Sequence, residues 1–260
     1  MKSKNKNYNY TTIDLKNRLK KIGLKKGDLI FCHSNLAFFG KINSNKNLCK
    51  IYFDTILDII GKQGTLIVPT YTYSIKTVYD VNKTPSVCGA FSEYVRKSKK
   101  GIRSLDPIFS VCCVGRHSKY LSNINSLENY ECFGKDSFFE KFYKLKGKII
   151  NFNDTSASTH IHYFEKLLNV NYRKDKIFKV KIKNRKFLRQ KKIIFYCVKN
   201  FRNIEARFDK FHTFSLKKNL AKQLKLGLGI ITCMKIDNMK KVVFENAKKK
   251  NFLYKSIKKF

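Results

Sequence analysis

Between Thr12 and Leu168, short apolar runs of strand length alternate with amphipathic segments of helical period, and that alternation leaves few architectures open. Leu29–His33, Gly64–Pro69, Ser110–Val114 and Lys148–Phe152 read as buried strands, the second stopped by its proline. Thr12–Ile22, Asn45–Ile60, Ser86–Lys97, Ser137–Leu145 and Thr159–Leu168 read as helices. Gly23 and Gly61 close the first two, and Ser86 is the expected cap of the third. Strands and helices in this order indicate an α/β fold, with a central mixed, largely parallel sheet flanked by helices. After Arg173 the period changes. Phe178–Ile182 alternates strictly, Asn184 and Arg185 make a turn, and Lys192–Val198 returns, so an antiparallel hairpin is expected in the C-terminal third. Thr213–Lys225 reads as helix, Leu226–Ile236 as strand and Asn238–Lys250 as a last helix. Residues 1–11 are expected to be flexible and 12–260 to form a single domain. The loop from Thr70 to Pro85 is long and rich in aromatic residues, which in a compact domain points to function.

Of the 260 residues 43% are hydrophobic, enough to bury a substantial core. No run of 18 apolar residues occurs, so no membrane span is expected. A basic start without an apolar stretch behind it argues against a secretory signal, and a cytoplasmic location is expected. The eight cysteines form no C-x-x-C pair and lie mostly in apolar runs, reading as reduced, buried thiols. The charge is extreme: 56 Lys and Arg against 18 Asp and Glu, a net +38. Residues 1–165 carry +14 and residues 166–260 carry +24. The 23 asparagines and many isoleucines that accompany the lysines match AT-rich coding, which makes a solvated lysine coat the simplest reading. A nucleic-acid-binding protein would use the same charge with interleaved aromatics, as in Lys191–Arg202. Those aromatics alternate as core-facing strand positions, and no nucleic-acid motif is present, so no nucleic-acid partner is expected.

Chemistry concentrates in Ser158–Glu165, where His162 and Glu165 stand three apart and share a helix face. A carboxylate beside an imidazole fixes its tautomer and stabilises the imidazolium, as a general base requires. A capped helix start with an incidental ion pair would give the same residues. His160 and His162 as metal ligands is a weaker reading, since residues two apart on a helix diverge and no third ligand is evident. Gly227-Leu-Gly229 lacks the third glycine of a dinucleotide fingerprint. Polar strand ends are better ligand candidates in an open α/β sheet: His33-Ser34-Asn35, Thr70-Tyr71-Thr72 and Arg103-Ser104.

Six segments then occur in a telling order: His33-Ser-Asn-Leu36, Gly64-Thr-Leu-Ile-Val-Pro-Thr70, and Asp80-x3-Thr84-Pro-Ser-x2-Gly89-Ala-x-Ser-Glu93. Arg103-Ser-x2-Pro107-x2-Ser110, Phe133-Gly-x2-Ser137 and Thr159-x2-His162-x2-Glu165 follow. Over roughly residues 12–250 this pattern resembles the aminoglycoside 3-N-acetyltransferase family. The resemblance implies an α/β enzyme that transfers an acetyl group from acetyl-CoA to the amine of a small-molecule amino sugar, without a metal. It gives His162 the role of base and Glu165 that of its partner. His33, Ser34, Asn35, Leu36, Thr70, Arg103, Ser104 and Ser110 are then expected to bind the coenzyme, and Tyr71, Asp80, Glu93 and Asp106 the acceptor. One departure bears on the acceptor. Antibiotic-modifying members typically read Arg-Ser-x-His-Pro-x-His-Ser, where this chain has Asp106 and Phe109 in place of both histidines. Together with the +24 region, which repels a polycation, this leads to the expectation of a nucleotide-linked or surface-polysaccharide amino sugar. Aminoglycoside resistance is the alternative.

Overall fold

The computed structural model describes residues 8–124, 128–199, 204–249 and 252–256. The first elements are α1 (Thr12–Ile22), β1 (Leu29–Ser34), a 3-10 turn at Leu36–Phe39, α2 (Leu48–Ile60) and β2 (Thr65–Pro69). β3 (Val78–Asp80), α3 (Ala90–Lys97), β4 (Ile102–Arg103), β5 (Val111–Gly115), α4 (Ser118–Ser122) and β6 (Tyr130–Glu131) follow. Next come α5 (Phe138–Lys144), β7 (Lys148–Phe152), α6 (Ile161–Leu167), β8 (Arg173–Lys183) and β9 (Leu188–Val198). The last described elements are β10 (Ile204–Ala206), α7 (Phe208–Lys217), β11 (Ala221–Leu226), β12 (Gly229–Lys235), α8 (Ile236–Asn246) and β13 (Tyr254–Ser256).

The main sheet has seven strands in the order β11-β12-β7-β1-β2-β5-β4. Its centre, β7-β1-β2, is parallel, and the flanking strands join antiparallel, so the sheet is the expected mixed one with helices against it. Its central strands are apolar on both faces because both faces are covered. Ile30 and Cys32 face a core with Leu15 and Leu19 of α1 and Ile56 of α2. Leu29 and Phe31 face the other, with Phe142 of α5, Phe164 of α6 and Val243 of α8. The hairpin β8-β9 is longer than its alternating segments suggested and belongs to a separate sheet, β3-β8-β9-β6.

Local chemistry sets the helix ends. Thr11 and Asp14 form a capping box on α1, and Gly23 ends it with φ 115°. Asn47 caps α2 and Ser137 caps α5 through their side chains. Ser86 does not cap α3: its hydroxyl accepts from the Cys88 N–H, and the helix starts at Ala90 after Gly89 at φ 89°. The helix expected over Thr213–Lys225 is also corrected. It starts at Phe208 and ends at Lys217, since Asn219 takes a left-handed φ of 55° and Ala221–Leu226 pairs with β12 instead. Of the stretch expected to be flexible, residues 1–7 lie outside the described residues. Tyr10 is buried, with its hydroxyl 2.9 Å from that of Tyr52. The last helix runs Ile236–Asn246, and Lys250 lies outside the described residues. No described helix is long and apolar enough to cross a membrane.

Candidate active site

The site forms where β7 runs out. The Asn151 side chain donates to the carbonyls of Thr155 and Ala157, the latter at 2.8 Å, and folds the loop after Phe152 back over the strand end. That places the start of α6 beside the carboxyl ends of β1, β2 and β7. On α6, His162 Nδ1 lies 2.8 Å from Glu165 Oε2, the helix-face pairing read from the sequence. Glu165 is fully buried. The Tyr172 hydroxyl donates to its Oε1 at 2.7 Å, and Arg173 Nε lies 2.7 Å from Oε2, too misaligned for a hydrogen bond but an ion pair. Arg173, the first residue of β8, also donates through Nη1 to the Tyr196 carbonyl at 2.9 Å and through Nη2 to the Tyr254 hydroxyl.

Burial pushes the Glu165 carboxyl up, yet the imidazole, the guanidinium and the Tyr172 hydroxyl together hold it below the ordinary range. Burial first, then the Arg173 charge, lower the His162 imidazole against the opposing pull of Glu165. A buried imidazole of that kind is neutral near pH 7 and free to accept a proton.

Two cavities meet here. One of about 970 Å³ is lined by His162, Thr159, Tyr73, Phe109, Phe195 and the start of β8. The other, about 450 Å³, lies at the ends of the three parallel strands and is lined by His33, Ser34, Asn35, Tyr71, Cys88 and Thr159. Thr159 borders both. His33 Nε2, Ser34 Oγ and Tyr71 OH are buried without a hydrogen-bond partner in the described structure. Burial takes His33 down to about 4, so it is a neutral group there.

The structure therefore brings His33, Ser34, Asn35 and Tyr71 into one cavity beside His162 and Glu165. Other expected site residues make hydrogen bonds or packing contacts within the fold. Asp106 is buried and its Oδ1 accepts from the N–H groups of Ile108 and Phe109. Asp80 accepts from Asn82 N and Lys83 N in a turn, and Glu93 is held by Arg96 at 2.6 Å. Arg103 clamps the Thr84 and Thr70 carbonyls at 2.6 and 2.8 Å, with its guanidinium 5.1 Å from the Tyr79 ring. Ser104 Oγ accepts from Val111 N, and Ser110 Oγ donates to the Thr70 carbonyl while accepting from the Thr70 hydroxyl. Leu36 is buried in the 3-10 turn. His160 is no ligand partner to His162: it is fully buried, its ring within 5.4 Å of those of Phe31, Phe138, Phe139 and Phe142. Arg173, Tyr172 and Tyr254 carry no signal in the sequence, whereas Thr159 stands in the Thr159-x2-His162-x2-Glu165 segment. Arg173 in particular has no mark in the sequence among 56 basic residues; its burial against Glu165 appears only in the fold.

Comparison with known proteins matches residues 31–245 to the family model for aminoglycoside 3-N-acetyltransferase. The chain belongs to the aminoglycoside 3-N-acetyltransferase family. A curated relative, the SPbeta prophage-derived aminoglycoside N(3')-acetyltransferase-like protein YokD of Bacillus subtilis (strain 168), is 24% identical over 172 residues. That alignment takes in 56% of this chain and 61% of the relative's length. Among solved structures, AAC-IIIb in binary complex with CoASH superposes with a TM-score of 0.78 at 17% identity, covering 92% of this chain and 97% of its own. AAC-VIa bound to sisomicin gives 0.75 at 15% identity, with the same coverage. At those identities the superpositions show the fold alone.

Proposed function

We propose that this family member is an acetyl-CoA-dependent N-acetyltransferase whose general base is His162. The observation that carries the reading is the position of the His162–Glu165 pair where two cavities share Thr159, one able to present a thioester and the other an amine. In this scheme His33, Ser34 and Tyr71 supply the buried polar groups that meet the coenzyme's acyl end, and Nε2 of His162 takes the amine proton. The N–C bond forms as the C–S bond breaks, and the proton held on the imidazole passes to the departing sulfur, so charge and atoms balance. The Glu165 carboxylate stabilises the transient imidazolium.

For the acceptor, the relative with sisomicin bound supports an aminoglycoside amine over the nucleotide-linked or polysaccharide precursor expected from the charge. One observation favours a second reading, an amino sugar that also carries an anionic group. Arg173, Lys174, Lys176 and Lys199 line the His162 cavity, against Asp175 alone, and Asp175 is held by Lys166 Nζ at 2.5 and 2.6 Å. The test is thiol release from acetyl-CoA with a panel of aminoglycosides and of phosphate- or carboxylate-bearing amino sugars. Release with aminoglycosides supports the first acceptor, release with the anionic amines alone supports the second, and no release with any amine overturns the acetyltransferase reading.

A further inference from the structure

Of the four basic side chains lining the His162 cavity, Arg173 alone is buried. Its guanidinium reaches both members of the pair, with Nε 2.7 Å from Glu165 Oε2 and Nη2 2.9 Å from His162 Nδ1 and 3.4 Å from Nε2. The same Nδ1 is 2.8 Å from Glu165 Oε2. One ring nitrogen thus faces a carboxylate that accepts its proton and an N–H that seeks its lone pair, and it cannot serve both at once. With Nδ1–H donating to Glu165, Nε2 carries the lone pair and can take a proton. With Nδ1 accepting from Arg173, Nε2 carries the hydrogen and is inert as a base. Nη2 also donates to the Tyr254 hydroxyl, which holds the guanidinium beside the ring.

We infer that Arg173 is a positioning residue that governs the protonation of His162, anchoring the Glu165 carboxylate through Nε while opposing an imidazolium through Nη2. The inference rests on His162 being the base. The groups that face the imidazole at hydrogen-bond distance are one anion on α6 and one cation on β8. Tyr172, Tyr196 and Tyr254 bond to one or the other of them. Lys174, Lys176 and Lys199 stand in the same cavity but in solvent, as does Asp175 with its lysine. Tyr73 lines the far wall. Burial and the guanidinium both keep the imidazole low, and Glu165 works against them. Arg173 therefore extends activity toward lower pH by delaying protonation of the base.

The experiment is an ¹⁵N-imidazole NMR titration of the full chain, with the His162 signal assigned by its loss in His162→Asn. Arg173→Gln should raise the His162 midpoint by about one unit or more, the usual effect of removing a close charge, and Glu165→Gln should lower it. Arg173→Lys, which keeps a charge but cannot hold both partners, should give a smaller rise and covers the case in which the Gln variant does not fold. The acid limb of kcat/KM should move by the same amount as the midpoint, whereas a merely structural arginine would lower the melting temperature and leave both unmoved. An unchanged midpoint in a folded variant overturns the inference. Because the titration needs no turnover, it remains readable even where thiol release fails, so failure of the acetyltransferase reading is seen separately.

Discussion

A general base, the role proposed for His162, and a buried carboxyl such as Asp106 make opposite demands on solvent. As the proposed base, His162 acts through a proton it gains and loses. His162→Ala should lower turnover about 10²- to 10⁴-fold, with coenzyme affinity, read by isothermal titration calorimetry, within a few-fold of wild type. Asp106 contributes through the shape of a turn. Burial, outweighing the N–H groups of Phe109 and Ile108 and the Tyr130 and Cys132 side chains, raises its carboxyl to about 6. A folded pKa above the unfolded one means that its contribution to stability is full below about pH 4 and is lost as pH rises through about 6. Asp106→Asn keeps the Oδ1 acceptor and removes the charge. It should therefore unfold at higher urea than wild type at pH 7.5, by up to about 3 kcal/mol, with the difference gone by pH 4. A variant less stable than wild type at pH 7.5 would place the carboxylate in a role the turn does not require.

At the scale of elements, the pieces read correctly from sequence were those whose signal is local. The helix over Thr12–Ile22 has its capping box and its left-handed glycine within the segment, and the parallel strands have unbroken apolar runs. The errors fall where a distant partner decides. Residues 221–225 have an acceptable helical pattern, but β12 offers them a ladder that sequence spacing does not reveal. The same holds for the site. His162 and Glu165 are legible because one helical turn joins them, while Arg173 is brought to them by a strand start whose burial only the assembled fold creates. Arg103, polar at a strand end, has structural contacts that its sequence position does not announce. Its guanidinium ties the loops after β2 and β3, through the Thr70, Val81 and Thr84 carbonyls, to the edge strand β4. Arg103→Ala should lower unfolding free energy by about 2–4 kcal/mol in chemical denaturation, as expected when buried charge-assisted bonds are lost. Coenzyme affinity, measured on the folded fraction, should change little.

For the molecule as a whole, the coenzyme's phosphates and the net charge of +38 should cooperate. CoA binding to the native state should raise the melting temperature at low salt, and the rise should shrink as salt screens exposed lysines. No shift at millimolar CoA would count against the coenzyme assignment. The shared border at Thr159 carries a consequence for the order of events. On the proposed reading, two chambers that abut at one threonine let the donor and the acceptor be resident together, with the His162–Glu165 pair and its Arg173 at their junction. The cysteine on the donor side, Cys88, has its thiol raised by burial, which makes it a poor relay for an acyl group. Initial-rate plots against one reactant at several fixed levels of the other should accordingly give intersecting lines, the signature of a ternary encounter, and no labelled acetyl group should remain on the protein when the acceptor is withheld.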